Sequence, residues 1–209
     1  MLPPTLPIFP LPNVVLFPHV FLPLHIFEPR YRAMVADALE EDRLIGMVLL
    51  RPGWEGDYEG NPPVFPVGCA GLITYHEQLP DGRSNIVLRG VEKFRIRGEE
   101  PGRPYRVARV ESLHERLADE DRDDVRSARR RLESLLVPGT PEPNAPPRMS
   151  PAMSDEDLVN ALAQYMELEP LEKQALLERD GPLERSRSLI ELLEMKMIAS
   201  KSDWGRGRH

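Results

Sequence analysis

The sequence has little or none of several features that define large classes of protein. Its 209 residues contain a single cysteine, Cys69, which excludes an intramolecular disulfide and a cysteine-rich metal site. We expect Cys69 to be a small buried side chain, because it lies in the apolar run VFPVGCAGLITY. The formal net charge is −7, whereas nucleic-acid-binding domains usually carry a basic surface. A nucleic-acid partner is therefore not expected.

Motifs for nucleotide binding and catalysis are also missing. The sequence contains no GxxxxGK[ST] loop, GxGxxG turn, HExxH helix, GxSxG elbow or CxxC pair. His25 and Glu28 have an HxxE spacing, but the surrounding prolines prevent the helix that would place both on one face. The spacing does not predict a metal site. We expect neither a cofactor nor catalytic activity of this chain.

An unbroken apolar run of membrane-spanning length is absent as well. The stretch LPIFPLPNVVLFPHVFLPLHIFEPRYRAM, residues 6–34, is strongly apolar, but six prolines divide it. Prolines at this density prevent a long helix and favour extended backbone before them. No Lys or Arg precedes Arg30, so the basic start of a signal peptide is missing. We expect short buried strands, for example over residues 13–17, and a cytoplasmic protein with no membrane partner.

The periodicity of residues 1–118 predicts a β-rich subdomain with one helix. The helix begins at Pro29 and has an apolar stripe formed by Tyr31, Met34, Val35, Ala38 and Leu39. Asp81-Gly82 indicates a hairpin turn, and Gly90 indicates a bulge or a bend that helps a sheet to curl. Further strands are predicted over residues 44–50, 67–79, 85–96 and 105–113.

Residues 119–200 are predicted to form a helical subdomain. The first helix starts at Asp119 with acidic residues in its first turn, which suits the helix dipole. Residues 138–151 are predicted to be an extended linker, because six of these fourteen residues are prolines. Ser154 is predicted to cap a second helix, and Pro170 and Pro182 to begin two more. The predicted fold class is α+β.

Several of these stretches together resemble a known family. The run PLPNVVLFP, the PLHIFEPRYR segment that begins the helix, and the LIGMV strand are similar to the amino-terminal domain of the Lon ATP-dependent proteases. The segment VGCAGLITYHEQLPDGRSNIVLRGVEKFRI resembles the hairpin and following strand of the same domain. The family-motif residues that we expect to be structural are Pro12, Pro18, Pro23, Glu28, Pro29, Arg30 and Tyr31.

The resemblance implies a fold and a role. The implied fold is a small, curled, mostly antiparallel PUA-like pseudobarrel followed by a helical bundle. The implied role is a non-catalytic, bacterial recognition module, because the residues of Lon's ATPase and Ser-Lys peptidase modules find no match in these 209 residues. Its expected partners are unfolded or degron-bearing proteins, or a partner protein.

Candidate binding residues follow from their type and setting. Trp54, Tyr58 and Phe65 are large aromatic residues in a Gly/Pro-rich loop, where binding anchors are often found. They could instead cover one end of the barrel. A sheet edge could also accept an added peptide strand. The apolar stretch over residues 6–34 is expected to be core and architecture and not the binding site.

RNA binding is the alternative function, because PUA-like barrels bind RNA in other families. Lys93, Arg95 and Arg97 alternate along a predicted strand and would form a short basic stripe on one face. The acidic net charge and the absence of aromatic residues interleaved on that face argue against it.

Overall fold

A computed structural model describes residues 1–56, 60–136 and 153–206. The candidate residue Tyr58 and the predicted linker over residues 138–151 lie outside the described residues. The chain divides into two compact units. The first comprises Met1–Glu115 and Glu167–Glu178, and the second comprises Arg116–Met166 and Arg179–His209.

The first unit is built on a six-stranded sheet. Its strands are β1 (Thr5–Leu11), β2 (Phe21–Ile26), β3 (Leu44–Leu49), β4 (Val67–Gln78), β5 (Ser84–Glu100) and β6 (Val107–Leu113). The strand order is β2-β5-β4-β3-β1-β6, and the β1–β3 pair alone among these neighbours is parallel. Strand β6 also pairs with β5, so five strands close on themselves while β2 remains at the edge. The predicted α+β pseudobarrel is confirmed, although it is not a regular barrel.

The core of the sheet surrounds one aromatic ring. Phe94 of β5 is fully buried, and the glycines at positions 46 and 68 leave room for its ring. Because the sheet closes around this ring, apolar side chains from five strands meet there. The buried cluster consists of Leu6, Ile8, Val48, Ala70, Phe94 and Ala108.

The predicted bulge at Gly90 is present. The register of β4 and β5 shifts between Ala70 and Gly71, which leaves Val91 as the extra residue. A Cβ at Gly90 would overlap the carbonyl oxygen of Phe17, so this position requires glycine. The N–H of Gly90 donates to the carbonyl of Val20 at 2.8 Å, which joins the bulge to the start of β2.

The prediction of a strand over residues 13–17 is wrong. Val15, Leu16 and Phe17 are buried, but the backbone of this segment is irregular. Leu16 packs over Gly71, with its Cδ2 2.9 Å from the position that a Cβ would occupy there. The segment therefore covers the face of the sheet with its side chains and does not pair beside a strand.

Helix α1 (Pro29–Glu40) joins β2 to β3 and begins where the sequence predicts. Pro29 occupies its first turn, and its buried stripe consists of Tyr31, Met34, Val35 and Ala38. The ring of Tyr31 contacts that of Phe9 at a centroid distance of 4.2 Å, and the guanidinium of Arg30 lies 4.6 Å from the Tyr31 centroid. The family-motif residues at the start of α1 thus fix the helix to β1.

The second unit is helical, but one helix of the carboxyl-terminal half belongs to the first unit. Helices α2 (Arg122–Leu136), α3 (Asp155–Tyr165) and α5 (Pro182–Arg206) lie in the second unit. Helix α4 (Pro170–Leu177) lies in the first, where the Gln174 amide donates to the carbonyl of Val67 at 3.0 Å. Residues 167–178 therefore depart from the predicted division near residue 118.

Ion pairs and caps order the helices of the second unit. Asp124 pairs with Arg187 at 3.1 Å and Arg131 with Glu194 at 2.6 Å, both 63 residues apart, so α2 and α5 run parallel. The Ser154 hydroxyl accepts from the N–H of Asp157 at 3.0 Å, which confirms the predicted cap of α3. Within the described part of the chain, none of the helices combines the length and apolar character that a membrane span requires.

Candidate protein-binding surface

The edge strand β2 presents alternate side chains to solvent. Phe21, Pro23 and His25 are exposed, whereas Ile26 is buried and the residues between them are half-buried. This alternation follows from the period of two in a strand, and it places every second residue on the outer side of the sheet. Phe27, directly after β2, is also exposed and stacks on His25 at a ring-centroid distance of 6.4 Å.

The strand register gathers further side chains on this side. Pro23 lies opposite Val87 of β5, and Val87 lies opposite Tyr75 of β4. Directly opposed residues point to the same face of a sheet, so these three side chains form a row. We use the name outer face for Phe21, Pro23, His25, Phe27, Tyr75 and Val87.

The aromatic residues of the outer face are unusually exposed. Phe27 is 60% exposed, Tyr75 50% and Phe21 49%. Scattered single apolar residues on a surface need no explanation, but several large ones gathered on one face often indicate an interaction site. Aromatic side chains also supply large contact area at a low cost in conformational entropy, which suits binding anchors.

A polar network runs through the outer face and orients His25. Its Nδ1 lies 2.8 Å from Oδ1 of Asn85, and the Asn85 amide donates to Glu77 at 3.0 Å. Nη1 of Arg83 lies 3.4 Å from Nε2 of His25, so the Nδ1–H tautomer satisfies both contacts. Arg83 is itself held by Asp81, and this hydrogen bond lowers the pKa of Asp81 to about 2.

The free backbone edge of β2 is interrupted. The hydrogen bond from the Gly90 N–H to the Val20 carbonyl fixes which backbone groups of β2 face β5. The N–H and C=O groups of residues 22, 24 and 26 face β5, and those of the odd-numbered residues face the free edge. Pro23 is one of those odd-numbered residues and has no N–H to donate. A peptide added as a strand would lose a central hydrogen bond there. This edge is therefore poorly suited to strand addition, and proline is a recognised protection of sheet edges.

Trp54 and Phe65, the loop candidates that the structure describes, are less exposed than the aromatic residues of the outer face. Trp54 lies in a 3₁₀ turn (Trp54–Gly56), and both Trp54 and Phe65 are half-buried. The guanidinium of Arg51 lies 5.6 Å from the centroid of Phe65. Leu50 and Val64 form an isolated β-bridge that closes this loop. The binding role of Trp54, Tyr58 and Phe65 stays a prediction.

The three residues of the proposed basic stripe are not equivalent in the structure. Lys93 is buried and pairs with Glu115 at 2.7 Å, whereas Arg97 is exposed and donates to Glu111 at 2.7 Å. Arg95 is half-buried. Because one residue is buried and another is paired with a carboxylate, the three do not form a continuous exposed stripe.

Sequence reasoning missed Phe21, Phe27 and Tyr75 as binding candidates. The stretch over residues 6–34 was expected to be core and architecture, and most of it is, but β2 exposes one side of it. The available signal was the alternation Phe21, Pro23, His25, in which proline marks an edge strand. No cluster of three or more His, Cys, Asp or Glu residues suited to a metal ion occurs among the described residues.

The family model and the relatives that match this chain all belong to one family. The family model for the ATP-dependent protease La (LON) substrate-binding domain matches residues 5–195. The chain is 28% identical to the Lon protease of Cytophaga hutchinsonii over 200 residues, covering 92% of this chain and 24% of that protein. It is 25% identical to the Lon protease of Escherichia coli strain K12 over 198 residues, covering 92% and 25%. The chain spans about a quarter of the length of these relatives.

Solved structures share the fold. A Lon N-terminal domain protein from Xanthomonas campestris matches with a TM-score of 0.61 and 22% identity, covering 90% of this chain and 97% of that one. The N-terminal domain of a Mycobacterium avium complex Lon protease matches with a TM-score of 0.64 and 17% identity, covering 91% and 98%.

Proposed function

Because this chain belongs to the Lon substrate-binding domain family, we propose that it is a non-catalytic module that recognises polypeptides through the outer face. The observation that carries the proposal is the gathering of three half-exposed aromatic residues, Phe21, Phe27 and Tyr75, on one side of the sheet. The proposed partners are unfolded or degron-bearing proteins that expose apolar side chains. A cytoplasmic location is part of the same proposal.

The chemistry of the outer face fits such partners. Aromatic rings and Pro23 provide apolar contact, while Asn85, Glu77 and Arg83 provide a polar border. Burying apolar area contributes about 25 cal/mol per Å², so a few aromatic anchors can supply most of the binding free energy. Because Pro23 interrupts the backbone edge, recognition is proposed to act through side chains and not through strand addition.

A titration with a permanently unfolded polypeptide tests the proposal. Fluorescence anisotropy would measure the dissociation constant for the wild-type chain and for the triple variant Phe21→Ala, Phe27→Ala, Tyr75→Ala. We expect the triple variant to bind about tenfold or more weakly, because each truncated anchor in an interface costs roughly 1–2 kcal/mol. These residues are exposed, so the triple variant is expected to fold like the wild type.

The loop aromatics provide the matched comparison. Trp54→Ala removes a large aromatic residue of the same unit that is not part of the outer face. If the polypeptide binds through the outer face, Trp54→Ala keeps the wild-type affinity. A loss of affinity in Trp54→Ala with no loss in the triple variant would assign recognition to the loop. Absence of binding to the wild-type chain would remove the recognition proposal altogether.

A further inference from the structure

A concave site lies on the face of β4 and β5 that is opposite to the outer face. It is a pocket of about 660 Å³ between α1 and the β4–β5 hairpin. His76 and Ser84 line it from the hairpin, and they alternate with the outer-face residues along their strands. Small-molecule pockets in proteins typically enclose roughly 300–1,000 Å³, so the volume is sufficient for a ligand.

The helical wall of the pocket is mainly apolar. Val35, Ala36 and Leu39 of α1 line it together with Pro29 at the start of the helix. Val35 and Ala36 lie four and three residues before Leu39, so these three side chains form a stripe along the helix. The pocket can therefore hold an elongated apolar body along α1.

One end of the pocket carries a cation. The guanidinium of Arg32 lies over the hairpin turn at Gly82, where a Cβ would overlap it. Among the described residues, no carboxylate pairs with Arg32. His76 and Ser84, whose Nε2 and Oγ are 3.3 Å apart, add polar groups to the lining. Glu40 also lines the pocket, but it is eight residues, or about 12 Å of helix axis, from Arg32.

The geometry points to a binding site for a carboxylate carried on an apolar chain. The guanidinium fork of Arg32 matches the two oxygens of a carboxylate, and the apolar stripe of α1 matches the chain behind it. The carboxyl end of a polypeptide and a free aliphatic acid share this chemistry. The site is separate from the outer face, so it stands or falls independently of the proposed function.

Nuclear magnetic resonance titration of the full chain would test this site with three probes. The probes are octanoate, the tripeptide Ala-Leu-Leu with a free carboxylate, and the same tripeptide as its C-terminal amide. Chemical-shift changes are expected in residues 32–40 and 76–84 and not in residues 21–27. The amide is expected to bind at least about tenfold more weakly than the acid, because it lacks the charge-assisted pair with Arg32.

Two variants and one control define the site. Arg32→Gln removes the cation and is expected to weaken acid binding by about tenfold or more. Ala36→Trp fills the pocket without changing charge and is expected to abolish binding. Arg51→Gln removes an exposed arginine that does not line the pocket and is expected to leave binding unchanged.

Each outcome is decisive. Binding of octanoate alone supports a free acid as the ligand, and binding of the tripeptide acid supports a polypeptide end. The inference is overturned if the acid and the amide bind equally, or if Arg32→Gln has no effect. It is also overturned if neither acid binds at millimolar concentration, or if the shifts occur only in the outer face.

Discussion

Lys93 and Glu115 form an ion pair in which the lysine is 4% exposed and its Nζ lies 2.7 Å from Oε1 of the glutamate. The same ammonium donates to the carbonyl of Leu177, the last residue of α4, at 2.9 Å. Carbonyls at the end of a helix lack intrahelical partners, so Lys93 satisfies one of them. A buried charge is tolerated only when it is paired in this way.

Removing this charge is expected to destabilise the first unit strongly. Lys93→Ala leaves the Glu115 carboxylate and the Leu177 carbonyl without their shared donor, which should cost about 3–5 kcal/mol in the free energy of unfolding. Urea denaturation would measure the loss, and hydrogen exchange would show reduced protection of α4. As a control, Arg97→Ala breaks an exposed ion pair of the same strand and should cost at most about 1 kcal/mol. Equal losses in both variants would contradict the assignment.

The burial of Lys93 could not be predicted from the sequence. Strand alternation predicts Lys93 beside Arg95 and Arg97 on one face. In the structure, however, the carbonyl of Leu177 in α4, 84 residues away, accepts a hydrogen bond from its ammonium group. The packing of α4 on β5 produces no periodic pattern in the local sequence, because the two elements are far apart along the chain. The features that were predicted correctly are local: the start of α1 at Pro29, the bulge at Gly90 and the cap at Ser154.

The candidate site is subject to the same limit. Phe21 and Tyr75 belong to separate strands that are not paired with each other, and they share a face only because β5 lies between them in a defined register. Strand order is a property of the whole sheet and cannot be read from either segment. Exposure of Phe27 likewise depends on β2 being the edge strand.

Gly68 is expected to tolerate no side chain. A Cβ there would overlap the carbonyl oxygen of Met47 and lie 2.8 Å from the ring of Phe94. Since a backbone carbonyl in a sheet cannot move freely, Gly68→Ala should lower the free energy of unfolding by about 1–3 kcal/mol. Gly56→Ala is the control, because a Cβ there would meet nothing within 4 Å. Thermal unfolding of both variants checks this, and equal midpoints would contradict it.

Pro23 is expected to keep the β2 edge from pairing with another chain. Pro23→Val supplies the missing N–H and a strand-favouring side chain, so the variant should self-associate as protein concentration rises. Pro23→Lys supplies the same N–H but adds a charge that opposes edge pairing, and it should remain like the wild type. Light scattering coupled to size-exclusion chromatography would measure the molar mass of all three proteins. If Pro23→Val stays unassociated, the edge is protected by something other than proline.

The Tyr105 hydroxyl is expected to make stability depend on pH in the alkaline range. It donates to Oδ2 of Asp37 at 2.6 Å, and burial together with this hydrogen bond raises its pKa to about 12 from 10.0. The folded state therefore holds the phenol proton more tightly than the unfolded state. The contribution of this hydrogen bond to the free energy of unfolding is complete below pH 10.0 and is lost as the pH rises to about 12. Urea unfolding from pH 8 to 12 should give the wild type a larger free energy of unfolding than Tyr105→Phe, and this difference should shrink above pH 10. Tyr75→Phe serves as the control for loss of an exposed phenol, and a wild-type advantage that stayed constant up to pH 12 would refute the prediction.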